Sequence, residues 1–198
     1  MSLPTYDKTK RKKSYEALPK DAYVIKIMNA KETANKNGSG RHLAIAFDIA
    51  EGDYKDFYME QFNSNTAEDK KWPNDAIYRL TIPDDGAQTF VIDNWNTFFA
   101  DLEDSNNGYV FTGDTSKLKG KLIGGKFHIE QTEYRGQVYN HTRLRWTCVA
   151  DDVRSGKAVK NMPNDKLLSD KPSRSAAQTS DTGFMDVPAG SPEEIPFD

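Results

Sequence analysis

The chain has 198 residues, of which 36% are hydrophobic and 29% are charged. This length leaves room for one domain of about 130–150 residues with extensions at its ends. The net charge of −3 excludes a uniformly basic protein, but the charge is unevenly distributed. Residues 1–20 carry a net +4, whereas residues 175–198 carry −5 and contain no lysine or arginine. The centre is therefore mildly acidic, and any basic binding surface on it must be a local patch.

Cysteine usage and hydropathy indicate a cytoplasmic protein. A chain with the single cysteine Cys148 cannot form an internal disulfide, which is typical of a reducing compartment. No apolar run approaches the roughly 20 residues of a membrane span, so no membrane contact is expected. Residues 1–17 are polar and basic, without a secretory apolar core or hydrophobic periodicity, and are interpreted as a flexible arm.

Alternating apolar residues predict three strands in the first third of the chain. The third of these contains Phe57, Tyr58 and Phe62. The glycine-rich segment 35–40 is predicted to be a loop between the first two strands. The three predicted strands span residues 22–31, 42–50 and 56–63.

Apolar residues at helical spacing predict a helix over 89–103. Two strands over 121–130 and 138–150 are then predicted to form a hairpin around the turn at 134–137. Three strands, a helix and a hairpin follow the element order of an OB-fold. We therefore expect a mainly β domain over 18–153, a five-stranded Greek-key barrel with a helical insertion between strands 3 and 4. A β-sandwich or an α+β roll would use the same elements.

The last part of the chain, residues 154–198, is predicted to be a disordered acidic tail, because few apolar residues remain to bury. Its end combines acids with an apolar ring. The ring can fill a pocket on a partner while the acids steer toward a basic rim. The alternative is an ordinary polar tail. The candidate partner-binding residues are Glu193, Glu194, Ile195, Pro196 and Phe197.

Binding a single nucleic-acid strand without sequence preference needs cations for phosphates and aromatic faces for bases. An OB-fold presents such groups on its middle strands and on the loops after strands one and four. The two predicted loops supply Lys36, Arg41, Tyr134 and Arg135. Period-2 alternation puts five more basic residues on the outward faces of their strands, namely Lys26, Lys126, His128, Arg143 and Arg145.

Four aromatic residues are candidate stacking platforms, with burial in the core as the alternative for each. Trp72 is expected to be the most exposed, since Lys70 and Lys71 precede it in a polar stretch. Trp95 and Trp146 are assigned to the core. The four candidates are Tyr58, Phe62, Trp72 and Tyr139.

The sequence favours binding over catalysis. The histidines and Cys148 lack a metal-ligand spacing such as CxxC or HExxH, so neither a metal nor another cofactor is expected. The glycine-rich segment 120–125 begins a predicted strand and fits neither a P-loop nor a dinucleotide fingerprint. No nucleophile lies in a recognisable motif, and no enzymatic activity is expected.

Two resemblances point to DNA metabolism. Residues 193–197 resemble the acidic tip of bacterial single-stranded DNA-binding proteins, which recruits replication and repair enzymes. In that family the phenylalanine is terminal, whereas Asp198 follows it here. In addition, segments 15–23, 40–51 and 119–127 resemble a family of small phage proteins encoded with replication and recombination genes.

The phage resemblance covers roughly residues 15–153 and implies single-stranded DNA binding in phage replication and recombination, within the bacterial cytoplasm. Through the tip, replication and recombination proteins are the implied partners, and self-association is also expected because one small barrel binds few nucleotides. The alternatives are an RNA-binding or recombination mediator protein, and a protein-interaction module that inhibits or modulates a host defence or replication enzyme.

Overall fold

The computed structural model describes residues 17–35, 38 and 40–170. Its five strands are β1 (Ala22–Ala34), β2 (Arg41–Ile49), β3 (Ile77–Ile82), β4 (Leu122–Tyr134) and β5 (Gln137–Cys148). Its α-helices are α1 (Phe57–Ser64), α2 (Thr89–Asp104) and α3 (Ala150–Arg154). All strand pairs are antiparallel, in the order β3-β2-β1-β4-β5.

The predicted mainly β class is confirmed, and α2 lies between the third and fourth strands of the chain as expected. Closure into a barrel is not observed, since β3 and β5 stand at opposite ends of the strand order and share no ladder. The apolar faces of the strands form one core with residues from α1 and α2. Phe47 of β2 lies at its centre, 5.8 Å from both the Phe127 ring and the Tyr58 ring.

The segment predicted as the third strand is helix α1. Asp48, which is buried at the end of β2, accepts hydrogen bonds from the backbone N–H groups of Tyr58 (2.9 Å) and Met59 (3.0 Å). These N–H groups lie in the first helical turn, where no partner exists within the helix. The stabilising acceptor therefore comes from an earlier strand, and the local pattern does not reveal it. The true third strand is β3, which the sequence analysis left unassigned.

The predicted β4–β5 hairpin is confirmed. Its turn residues Arg135 and Gly136 have φ angles of 52° and 76°, the positive values that a two-residue type I′ turn requires. The glycine-rich start of β4 has a packing explanation. At Gly124 a Cβ atom would lie 2.9 Å from the carbonyl oxygens of Cys148 and Val149, so a larger residue would push against the backbone at the end of β5.

Ordered structure continues past residue 153. The ladder between β1 and β4 ends at Lys126, and the next part of that β4 edge is taken by Lys166. The Lys166 N–H donates to the Ile129 carbonyl (2.8 Å), and the Gln131 N–H donates to the Lys166 carbonyl (2.9 Å). The prediction of a disordered tail is therefore wrong for residues 154–170, which gain backbone partners despite their polar composition. Residues 1–16 and 171–198, with the rest of the predicted arm and tail, lie outside the described residues.

Asp48→Ala tests the long-range cap on α1. The change removes a side-chain acceptor from three N–H groups, those of Tyr58 and Met59 in α1 and that of Ile49, and an unsatisfied buried donor costs about 1–3 kcal/mol. We expect the free energy of unfolding, measured by urea denaturation, to fall by about 2–4 kcal/mol. Asp53→Ala, at an exposed acid in the neighbouring turn, is the control and should stay within about 0.5 kcal/mol of the wild type. Equal effects of the two changes would contradict the capping role.

Candidate nucleic-acid interface

A cleft of about 540 Å³ lies between the edge strands β3 and β5. Consecutive residues of each strand line it, 77–81 of β3 and 143–147 of β5, because two unpaired strand edges face each other here. The first half of α2 and the outward side chains of β4 complete its walls. The gap between the two edge strands is thus a groove large enough to hold a small ligand.

One cluster of charged side chains bridges this gap, and a further hydrogen bond ties β5 to α2. At one end the Asp75 carboxylate, just before β3, contacts His141 Nδ1 (2.9 Å) and Arg143 Nε (3.1 Å) of β5. Toward the other end the Thr147 hydroxyl donates to Asp101 Oδ2 of α2 (2.8 Å). Burial raises the pKa of Asp101, although the Thr147 hydrogen bond acts in the opposite direction. The cleft between these bridges keeps its backbone edges available.

A β-bulge at Arg145 exposes the next residue, Trp146. The ladder pairs Phe127 of β4 with Leu144 of β5. The next pair joins Lys126 with Trp146, so Arg145 has no partner on β4. The extra residue reverses the alternation of side chains, and Trp146 shares a face with Lys126. Trp146 is 48% exposed, and its assignment to the core is therefore wrong.

The cations of the cleft differ in how far they are already paired. Arg145 is exposed at the bulge. Lys126 is half-buried, and its Nζ donates to the Asn161 carbonyl at 3.3 Å. Arg143 is held by two carboxylates, those of Asp75 and Glu130. Among the described residues, the lysines and arginines that line the cleft are Arg79, Lys126, Arg143 and Arg145.

Glu130 offsets part of this positive charge. Burial alone would raise its pKa, but the Lys166 ammonium and the Arg143 guanidinium hold the pKa of this carboxyl below its usual value. It is therefore ionised at neutral pH. Arg143 is in effect neutralised by its acidic neighbours, and Arg145 and Lys126 also line the groove.

Two further aromatic rings reach the cleft. Phe90, at the start of α2, is 59% exposed, and Tyr78 of β3 is stacked on Phe98 with 6.1 Å between ring centroids. The sequence analysis missed Phe90 and Arg79. The sequence could have indicated Phe90, because it lies next to Val91, which begins the row of apolar residues at helical spacing. The exposure of Trp146 could not have been predicted, because the neighbouring residues do not indicate that a bulge occurs there.

Two predicted stacking platforms are buried. Tyr58 is 2% exposed and Trp72 is 4% exposed, so neither can receive a base. The Trp72 Nε1–H donates to the Phe47 carbonyl of β2 (3.2 Å), which satisfies the indole inside the protein. The two lysines before Trp72 led to the prediction that its ring is exposed. The lysine side chains are exposed, but the ring is buried. Lys70 Nζ lies 4.7 Å from the ring of the half-buried Phe62.

His128 is also buried, although alternation placed it on the outward face of β4. Residues 161–165 cover that face, and His128 Nδ1 lies 3.2 Å from the Asn164 carbonyl. Burial lowers its pKa despite this contact, so it is neutral at physiological pH and is not a phosphate-binding cation. Lys26 is half-buried on β1 and does not line the cleft.

The remaining predicted residues lie away from the cleft. Arg41 is paired with Glu32 at 2.6 Å, and Lys71 lies 4.0 Å from Asp69. The exposed residues Tyr134, Arg135 and Tyr139 lie at the hairpin turn. Lys36 and the tip residues Glu193, Glu194, Ile195, Pro196 and Phe197 lie outside the described residues. Of the predicted DNA-binding residues, the structure brings Lys126, His128, Arg143 and Arg145 together at the cleft.

The structure offers little for metal or thiol chemistry. Within the described part of the chain, no group of three or more His, Cys, Asp and Glu residues could hold a metal ion. Burial raises the pKa of the Cys148 thiol to about 11, which keeps it protonated and unreactive at neutral pH.

A search of the described helices finds none that is both long and apolar enough to cross a membrane.

Trp72 and Trp146 occupy the opposite environments from those expected, and fluorescence tests this. Trp146→Phe should remove much of the emission that acrylamide quenches, whereas Trp72→Phe should preserve it. Trp72→Ala should lower the free energy of unfolding by about 3–5 kcal/mol. Trp146→Ala should lower it by less than about 1 kcal/mol, because the ring is largely solvated. A quenchable Trp72 or a strongly destabilising Trp146→Ala would contradict the bulge.

Comparisons of the sequence with protein-family models and with curated proteins give no match.

Proposed function

We propose that this protein binds single-stranded DNA, without sequence preference, in the cleft between β3 and β5. The observation that carries the proposal is the exposed Trp146 ring, with Arg145 before it and Lys126 directly across the ladder. A stacking face beside cations is the combination that sequence-independent binding of a single strand needs, because every base has a π-face and every nucleotide a phosphate.

A mildly acidic domain is consistent with this proposal because its positive charge is concentrated where the strand would lie. Arg79, Lys126 and Arg145 line the same groove, whereas Glu130 is occupied by ion pairs with Arg143 and Lys166. Exposed guanidinium and ammonium groups contact phosphates through charge-assisted hydrogen bonds. With only a few cations in the groove, the affinity should depend on salt, but more weakly than for a highly basic protein.

The size of the cleft favours a single strand. Its volume of about 540 Å³ lies within the range of about 300–1,000 Å³ for sites that enclose a small ligand. Unstacked bases can enter such a space and meet Trp146 or Phe90, whereas paired bases in a duplex keep their faces stacked on one another. The groove therefore suits a few nucleotides of one strand.

The topology supports assigning the chain to the OB-fold class as a partly open barrel. The five-stranded order, with β1 paired to both β2 and β4, and the position of α2 between β3 and β4 are the supporting features.

The cellular role that we propose is phage DNA replication and recombination, as implied by the resemblances in segments 15–23, 40–51, 119–127 and 193–197. The C-terminal tip would recruit partner enzymes while the cleft holds the strand. The two functions are separable, because the tip belongs to a different part of the chain from the residues that line the cleft.

Fluorescence anisotropy with a labelled oligothymidylate across a salt series tests the proposal. Trp146→Ala should weaken binding by about 1–3 kcal/mol, the contribution of one stacked base, and leave the salt slope unchanged. Arg145→Ala should instead reduce the salt slope by about 0.7, the contribution of one phosphate contact on a single strand. The two changes thus have different signatures.

Two controls sharpen this test. Trp146→Phe keeps an aromatic face and should retain most of the affinity, and Lys117→Ala removes an exposed cation away from the cleft and should change nothing. Absence of salt-sensitive binding, or normal binding by both cleft variants, would rule out the proposal. Tighter binding to oligouridylate would favour the RNA alternative, and no binding to either strand would favour a protein-interaction module.

A further inference from the structure

The tip of the β4–β5 hairpin, residues 134–139, is an exposed surface that the cleft does not use. Tyr134, Val138 and Tyr139 are 61%, 53% and 41% exposed. The Arg135 guanidinium lies 5.1 Å from the centre of the Tyr134 ring. The ladder with β1 ends at Lys126, so the hairpin tip extends beyond the rest of the sheet. Large apolar side chains exposed together mark an interaction surface.

A second exposed surface lies on the outer side of α2. A shallow opening of about 310 Å³ is lined there by Trp95, Asn96, Phe99, Ala100, Glu103 and Phe111, and we call it the α2 opening. Phe99 is stacked on Phe111 with 3.9 Å between centroids, and the Trp95 ring lies 4.8 Å from that of Phe99. Helix α2 has four acids and no lysine or arginine. Phe99 is buried and Trp95 and Phe111 are half-buried, so the opening is a shallow, partly aromatic recess with the acid Glu103 in its lining.

The two surfaces lie at opposite ends of the molecule. Strand β5 begins at the hairpin tip and reaches α2 at its other end, where Thr147 donates to Asp101. Ten residues of strand separate Gln137 from Thr147, a distance of about 30 Å at roughly 3.3 Å per residue. The hairpin tip therefore cannot fold back into the α2 opening of its own chain.

We propose that the hairpin tip of one copy docks in the α2 opening of a second copy, head to tail. The tyrosine rings of the tip would meet the half-buried rings of Trp95 and Phe111, and Arg135 would meet Glu103. Complementary charge and matching aromatic surfaces favour a second copy as the occupant. Because the two patches differ, the contact is heterologous and repeats as an open linear chain.

The effect of this contact on DNA binding rests on the proposed function. The contact between two copies does not. A linear chain of copies is the arrangement that follows a single strand, and each docked neighbour would strengthen the binding of the next. The predicted role of Tyr134, Arg135 and Tyr139 as DNA-binding residues is then replaced by a role in contact between copies. The DNA-binding role becomes an outcome of the test.

Charge exchange across the contact provides the experiment. Arg135→Asp places an acid against the acidic helix and suits the positive φ of the turn, where aspartate is tolerated. Ala100→Arg places a cation in the opening at an exposed helical position that arginine tolerates. Each change alone should weaken binding to an oligothymidylate of about 60 nucleotides by about tenfold, and the double variant should recover it.

The full-length chain should show these losses only where copies are neighbours. On an oligothymidylate of about 10 nucleotides, within the site size of a single OB-fold, all variants should bind as the wild type does. Ala67→Arg, the same substitution in an exposed turn remote from both surfaces, is the matched control. Loss of short-oligonucleotide binding in Arg135→Asp would assign the tip to DNA and overturn the inference.

Sedimentation velocity without DNA separates this inference from the proposed function. Concentration-dependent association that is lost in each single variant and restored in the double variant supports the contact, even if no DNA binding is found. Association that neither single variant alters, or no association together with non-cooperative binding to the long oligonucleotide, overturns it.

Discussion

The gap between β3 and β5 is the constraint on which the rest of the structure depends. Side chains bridge it instead of a backbone ladder: Asp75, just before β3, reaches Arg143 and His141 of β5. A hydrogen bond from Thr147 to Asp101 also ties β5 to α2. A ladder would have satisfied the two edges and removed the cleft. Because the bridges are polar and partly exposed, they hold the edges in place without filling the space between them.

Hydrophobic periodicity was sufficient to locate β1, β2, α2 and the β4–β5 hairpin, since each has a long periodic pattern. It failed where a distant group decides the local structure. Segment 57–64 is helical because the buried Asp48 carboxylate accepts its first N–H groups, and three backbone hydrogen bonds hold that carboxylate although burial raises its pKa. The short edge strand β3 has too few residues for its period to stand out.

The candidate site was predictable to a similar degree. Alternation correctly brought Lys126 and Arg143 to one face of the hairpin, but it could not show that polar residues 161–165 cover His128. The polar composition around Trp72 led to the wrong prediction that its ring is exposed. The neighbouring lysines are exposed, but the indole N–H donates to a carbonyl of β2. Burial of an aromatic ring depends on contacts across the fold, which composition does not record.

The bulge at Arg145 has a consequence for how such a site can change over generations. Loss of that one codon, in frame, would restore the two-residue period of β5 and leave the tryptophan opposite Lys126, while deleting the bulge and one cation. Most single-base substitutions alter one side chain and leave the others in place. The aromatic face and the bulge cation of this groove can therefore be lost separately, and a change of length at this position would alter the charge of the groove without removing its tryptophan.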